Sequence, residues 1–253
     1  MIRMKQAVTG AALLLLAVGC TPIEDHERTS RSTLVIGIDV SGSFESSGNY
    51  EDAIEFASHY LYGHLQGLGE LRKPTAVFVG AVGGERPGEP KSFQPIHAFR
   101  DKSPEQITSL LRENFPPQDG FTDFNAFFER VATLVKRQNL VLAPLNIIVL
   151  SDGVPDVSRS QSDDQRYSSI DVSDLEYLSR NVTVRLLYAP PTVAVAWEQQ
   201  IDRQRVRIWT VDDQVMPGWR EQMNRTTDDG EEGGALWQWM HEIVDFRVRS
   251  RVI

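Results

Sequence analysis

Five short and nearly unbroken apolar runs punctuate the chain, at residues 34–38, 76–82, 147–150, 182–188 and 206–211. Runs this short, without polar alternation, are what strands buried on both faces require. Between them the apolar residues fall at spacings of three and four. Tyr50, Ala53, Ile54, Ala57, Leu61, Leu65 and Leu68 make one helical face. Phe124, Phe127, Phe128, Val131, Leu134 and Val135 make a second, with Asp123 placed as its N-cap. The segment Phe93 to Phe99 reads as a short antiparallel edge strand, because Pro95 cannot donate to a central ladder. Alternation of strand and helix predicts an α/β fold: a doubly wound, mostly parallel sheet flanked by helices. Ligands of such sheets collect outside the carboxyl ends of the strands, near a switch in strand order.

Polar stretches divide the rest. Residues 83–90 are rich in Gly and Pro and lack the Gly-Lys-Ser/Thr ending of a phosphate loop, so they read as a turn. Residues 156–171 form a long polar loop directly after Asp152, read as solvated and placed to overhang whatever Asp152 does. One domain is expected over 33–225, followed over 226–253 by an acidic linker and a C-terminal helix. That helix carries Leu236, Trp237, Trp239, Met240, Ile243, Val244 and Phe246, and core packing is its simplest role. A basic ending, Arg247, Arg249 and Arg251, reads as a charged, solvated tail.

The first residues change the compartment. Arg3 and Lys5 precede the apolar stretch Ala7–Val18, a secretory signal too short to span a bilayer. Its ending, Ala17-Val18-Gly19-Cys20, resembles a bacterial lipobox. The resemblance implies removal of residues 1–19, lipidation of Cys20, and a tether over 20–32. Thr21 after Cys20 points to the outer membrane, periplasmic face, rather than the inner membrane. Cys20 is the only cysteine, so an exported chain folds without internal disulfides. The formal charge of −9 becomes −11 once Arg3 and Lys5 leave, which excludes nucleic acid as a partner.

The candidate chemistry sits where the strand ends fall. Asp39-Val40-Ser41-Gly42-Ser43 closes the first apolar run, Thr122 lies just before the second helical face, and Asp152 follows the run at 147–150. Hydroxyl and carboxylate oxygens are hard ligands, and no Cys or His belongs to the set, so Mg²⁺ is favoured over Zn²⁺. In a locally extended loop, Asp39, Ser41 and Ser43 would face one ion. Two carboxylates and three neutral hydroxyls leave room for an anionic oxygen from outside. Each piece alone has a plain alternative, since Asp-x-Ser-Gly-Ser is often an ordinary turn.

Asp-x-Ser-x-Ser, then Thr, then Asp resembles the metal-ion-dependent adhesion site of von Willebrand factor A domains. The resemblance implies Ser41, Ser43 and Thr122 as inner ligands and Asp39 and Asp152 as outer ones, with Mg²⁺ bound and Ca²⁺ or Mn²⁺ as substitutes. It implies a protein-interaction module, not an enzyme, whose partner is an envelope protein offering an acidic side chain. Phe44 and Phe121 stand where that family commonly has smaller residues, which predicts an apolar rim. Two other functions compete. A haloacid-dehalogenase-like phosphohydrolase would use Asp39 as nucleophile, but it needs a second acid where this chain has Ser41. A structural lipoprotein would carry the same residues as a vestigial site. No Gly-x-Ser-x-Gly elbow is present for a serine hydrolase, and the five histidines show no ligand spacing.

Overall fold

The computed structural model describes residues 32–84, 86, 88, 91–118, 120–156, 166–179, 181–225 and 233–246. The expected signal at 1–19, Cys20, the tether up to residue 31, the linker at 226–232 and the tail at 247–253 lie outside the described residues. So does most of the loop after Asp156.

Six strands make one sheet: β1 (Thr33–Asp39), β2 (Ala76–Val82), β3 (Gln94–Pro95), β4 (Leu145–Leu150), β5 (Val182–Ala189) and β6 (Arg207–Asp212). Their order is β3-β2-β1-β4-β5-β6. Every pairing is parallel except β2 with β3. The chain leaves β1 toward β2 on one side and leaves β4 toward β5 on the other, so strand order switches between β1 and β4. This is the predicted doubly wound, mostly parallel α/β sheet.

Successive strand residues feed opposite faces. Leu34, Ile36 and Ile38 of β1 belong to one core, and Val35 to the other. On the first face lie α1 (Gly42–Ser46), α2 (Tyr50–Gln66), α3 (Pro104–Asn114), α6 (Gly218–Gln222) and α7 (Gly234–Trp239). The second face is covered by α4 (Phe124–Arg137) and α5 (Pro191–Gln200). Each fully buried Leu, Ile or Phe in these layers stabilises the fold by about 1.5–3 kcal/mol.

Two expectations need correction. The edge strand at 93–99 shrinks to Gln94–Pro95, because the chain turns at once into a 3₁₀ turn over Ile96–Ala98. Pro95 does sit on the outermost strand, opposite Phe78. Neither α3 nor α5 was among the expected helices. His64 has a structural role. Its Nε2 faces Asp245 at 3.1 Å while Nδ1 faces the Arg72 carbonyl at 2.9 Å.

That pair fastens the C-terminal segment. Leu236, Met240 and Val244 are buried in the α2-side core, so the final helix packs as core. Arg185 of β5 is buried, and its guanidinium donates to the carbonyls of Val244 at 2.7 Å and Phe246 at 3.3 Å, and to Asn146 Oδ1 at 3.1 Å. Burial alone would raise the Asp245 carboxyl. His64, Arg185 and the Tyr60 hydroxyl outweigh it and hold that carboxyl below its usual range.

Candidate metal centre

β1 delivers Asp39 to the carboxyl edge of the sheet with no exposed surface. One of its oxygens, Oδ1, accepts the Ser41 N–H at 2.9 Å. The other, Oδ2, accepts the Ser151 hydroxyl at 2.5 Å and lies 3.5 Å from Thr122 Oγ1. Ser41 has extended backbone and caps α1, its Oγ accepting the Phe44 N–H at 3.4 Å. Ser43 therefore lies in the first turn of a helix, not in an extended loop as expected. The turn still serves, because it brings Ser43 Oγ to 3.1 Å from Ser41 Oγ. The Ser43 hydroxyl lies beside the Asp152 carboxylate and opposes the rise that burial imposes on it.

The five residues singled out in the sequence thus form one linked string: Thr122, Asp39, Ser41, Ser43, Asp152. It runs across the switch between β1 and β4, where an open sheet binds ligands. Thr122 and Ser41 are buried, Asp152 is half-buried and Ser43 is exposed, so the string opens to solvent at the Ser43–Asp152 end.

The donor set fits a hard divalent ion. Adjacent ligands on an octahedron with 2.0–2.1 Å bonds lie about 2.9 Å apart, close to the Ser41–Ser43 separation. Among the described residues no ion pair reaches Asp39 or Asp152. Nor do three His, Cys, Asp or Glu side chains of the described residues converge as a metal cluster. Three of the five donors here are hydroxyls.

Burial pushes the Asp39 carboxyl up to about 7, against the lowering effect of its bonds from Ser151 and Ser41, and the Asp152 charge adds to the rise. Asp152 is also raised, first by burial. An unfolded aspartate loses its proton near pH 4, roughly. Folding therefore takes up a proton between about pH 4 and about pH 7, so metal-free stability falls as pH rises through that window and is flat above it. A divalent ion held at the string would compete with that proton. Thermal unfolding in EDTA and in excess Mg²⁺ should diverge near pH 8 and converge near pH 5, roughly two units below the raised value.

Local structure explains how Thr122 reaches the others. Gly84 and Phe121 exchange two backbone hydrogen bonds of 3.2 Å, fastening the end of β2 to the Thr122 segment. Gly83 makes this possible with φ +110, since a Cβ there would lie 2.3 Å from the Phe121 carbonyl oxygen. Asp123 caps α4 as expected, Oδ1 accepting the Ala126 N–H at 2.9 Å. The apolar rim is half of what was expected. Phe121 is exposed, but Phe44 is fully buried, edge-on to Tyr50 and Tyr188.

Two functional neighbours escaped the sequence. Ser151 Oγ donates to Asp39 and accepts the Gly153 N–H at 2.9 Å, joining the β1 and β4 ends. Asp156 accepts the Thr122 N–H at 2.7 Å, while its own N–H bonds the Thr122 carbonyl at 3.0 Å. Ser151→Ala should weaken Mg²⁺ binding about 10–100-fold, as loss of an outer partner does. The same change should cost roughly 1–3 kcal/mol for the hydrogen bonds left unmade. Calorimetric titration and urea unfolding on the same variant check both.

No family model matches the sequence, and no curated protein does. Among solved structures, the pilus adhesin SpaC from Lactobacillus rhamnosus GG is similar over 78% of this chain, at 14% identity and a TM-score of 0.48. This chain spans 30% of that protein. The manganese-loaded TRAP protein of Plasmodium vivax is similar over 74% of this chain and 70% of its own, at 13% identity and a TM-score of 0.46. The SpRpn10 VWA domain covers 74% of this chain and 92% of its own length, at 10% identity and a TM-score of 0.45. Likeness at this level says nothing of chemistry. The sheet order and the five-residue string carry the fold class and the site.

Proposed function

We infer that the chain is a protein-interaction module of the bacterial cell envelope whose binding surface is completed by a divalent cation. Ser41, Ser43 and Thr122 would hold Mg²⁺ directly, with Asp39 and Asp152 behind them, and Ca²⁺ or Mn²⁺ could substitute. The bound ion supplies positive charge at an otherwise acidic edge, so an acidic side chain of a partner protein can dock there. The observation that supports this best is the linked string of five oxygen-bearing side chains at the strand-order switch. The motif's likeness to von Willebrand factor A domains agrees with it. Lipidation at Cys20 would hold the module at the periplasmic face of the outer membrane.

Catalysis is not part of this reading. The residue two after Asp39 is Ser41, whose hydroxyl lies within the string, so no second acid stands there to protonate a leaving group. Calorimetric titration with Mg²⁺ tests the proposal. Saturable binding to the wild type and its loss in Ser41→Ala are expected. Hydrolysis of p-nitrophenyl phosphate, abolished by Asp39→Asn, would replace the reading with a phosphohydrolase. Absence of metal binding by the wild type would leave a structural lipoprotein with a vestigial site.

A further inference from the structure

We propose that the amino-end edge of the sheet, opposite the metal centre, is a contact surface for an anionic lipid bilayer. Four connecting segments meet there: 67–75 before β2, 138–144 before β4, 176–179 with 181 before β5, and 201–206 before β6. Hydrogen bonds bind them to one another and to the start of β1. Thr75 N–H donates to Ser32 O at 2.9 Å, Thr33 N–H to Pro144 O at 2.8 Å, and Leu142 N–H to Leu178 O at 3.0 Å.

This edge exposes apolar side chains that the fold does not use. Leu142 is 81% exposed and Tyr177 is 78% exposed, with Val141 beside them. Leu142 also has φ +89, a left-handed backbone that leucine adopts only under strain. The segment thus presents a leucine to solvent where glycine or asparagine would sit more easily.

Charge identifies what covers it. Among the described residues, the four segments and the two residues on either side of each carry seven Lys or Arg against four Asp or Glu, in a chain of net charge −9. One of those acids, Glu176, is buried, and its carboxylate accepts the N–H groups of Gln204, Arg205 and Val206. The opposite edge is the acidic one, with Asp123, Asp152, Asp156, Asp212 and Asp213 at the carboxyl ends. Exposed apolar side chains on an edge with an excess of cations suit the interface of an anionic membrane. A second copy of the same edge would bring like charges together. The chain also enters β1 from this edge, at Ser32 and Thr33. The expected anchor at Cys20 is twelve residues from Ser32, a reach of roughly 40 Å. Seated this way, the metal centre points away from the bilayer.

The test uses residues 20–253, the chain expected after removal of the signal, with Cys20→Ser, so that a single cysteine can be placed at will. Leu142→Cys, and separately Val215→Cys on the opposite edge, would carry a polarity-sensitive fluorophore. Vesicles are phosphatidylcholine with and without phosphatidylglycerol, in EDTA, so the outcome is independent of the metal reading. Expected is a blue shift and protection from aqueous iodide at position 142 on phosphatidylglycerol vesicles, with no change at 215. Lys136→Gln with Arg137→Gln should weaken that response about 25-fold, at about fivefold per charge. No shift at 142, or an equal shift at both positions, would overturn the proposal. So would a shift that grows with protein concentration in the absence of lipid, which would assign the edge to self-association.

Discussion

Trp197→Ala is expected to cost about 3–5 kcal/mol of stability, the range for truncating a fully buried large aromatic side chain. Trp197 has no exposed surface and stands edge-on to Phe124 at 4.9 Å. Its indole N–H also donates to the Gly153 carbonyl at 2.8 Å. Gly153 itself has φ +75, and a Cβ there would press on Leu186 at 2.7 Å and Val193 at 2.9 Å. The loop after β4 is thus shaped by a missing side chain and held by Trp197 from α5. Phe124 is the first residue of α4, two after Thr122, so the same indole ring buttresses both sides of the candidate metal centre. Trp197→Phe keeps most of the packing but leaves the Gly153 carbonyl without its donor, for about 1–3 kcal/mol. Urea unfolding in EDTA separates the two variants. A cost below about 1 kcal/mol for the alanine variant would show that neighbouring side chains close the cavity.

Trp197 also marks where the sequence became hard to read. Strands were legible because burial on both faces leaves an unbroken apolar run, and β2 matches its run at both ends. β4 spans Leu145–Leu150, although the polar Asn146 separates Leu145 from the unbroken apolar run at 147–150. Asn146 belongs there because Arg185 of β5 bonds its side chain. α5 opens Pro191-Thr-Val-Ala-Val-Ala-Trp, whose β-branched residues argue for a strand as much as for a helix. α3 could have been found: Ser103-Pro104-Glu105-Gln106 holds a complete capping box, with Gln106 Oε1 accepting the Ser103 N–H at 2.9 Å.

The site divides the same way. Asp39, Ser41, Ser43, Thr122 and Asp152 were visible because a short motif fixes their types and local spacing. Ser151, Asp156 and Trp197 were not, because each acts on a residue 112, 34 or 44 positions away. Periodicity carries no information about such pairs. Phe44 was misplaced for a related reason. Its neighbours in sequence belong to the site, whereas its side chain belongs to the aromatic core beneath α1.

Ser43→Ala and Thr122→Val are expected to remove Mg²⁺ binding while leaving a folded protein, and together they decide between a working and a vestigial site. Each takes away one donor oxygen. Loss of an outer partner already costs about 10–100-fold in affinity, so loss of a direct ligand should exceed about 100-fold. The two side chains differ in setting, which guards against misreading a folding defect. Ser43 is exposed, so its alanine variant should stay within about 0.5 kcal/mol of wild type in EDTA. Thr122 is buried, and valine preserves its shape while withdrawing the hydroxyl that lies against Asp39. Mg²⁺ at about a hundred times the wild-type Kd should stabilise the wild type by about 2.7 kcal/mol and each variant by less than about 0.4 kcal/mol. A vestigial site would give no gain in any of the three. A gain that survives in both variants would move the ion away from the string and onto carboxylates alone, with Asp156, beside Thr122, as the next residue to replace.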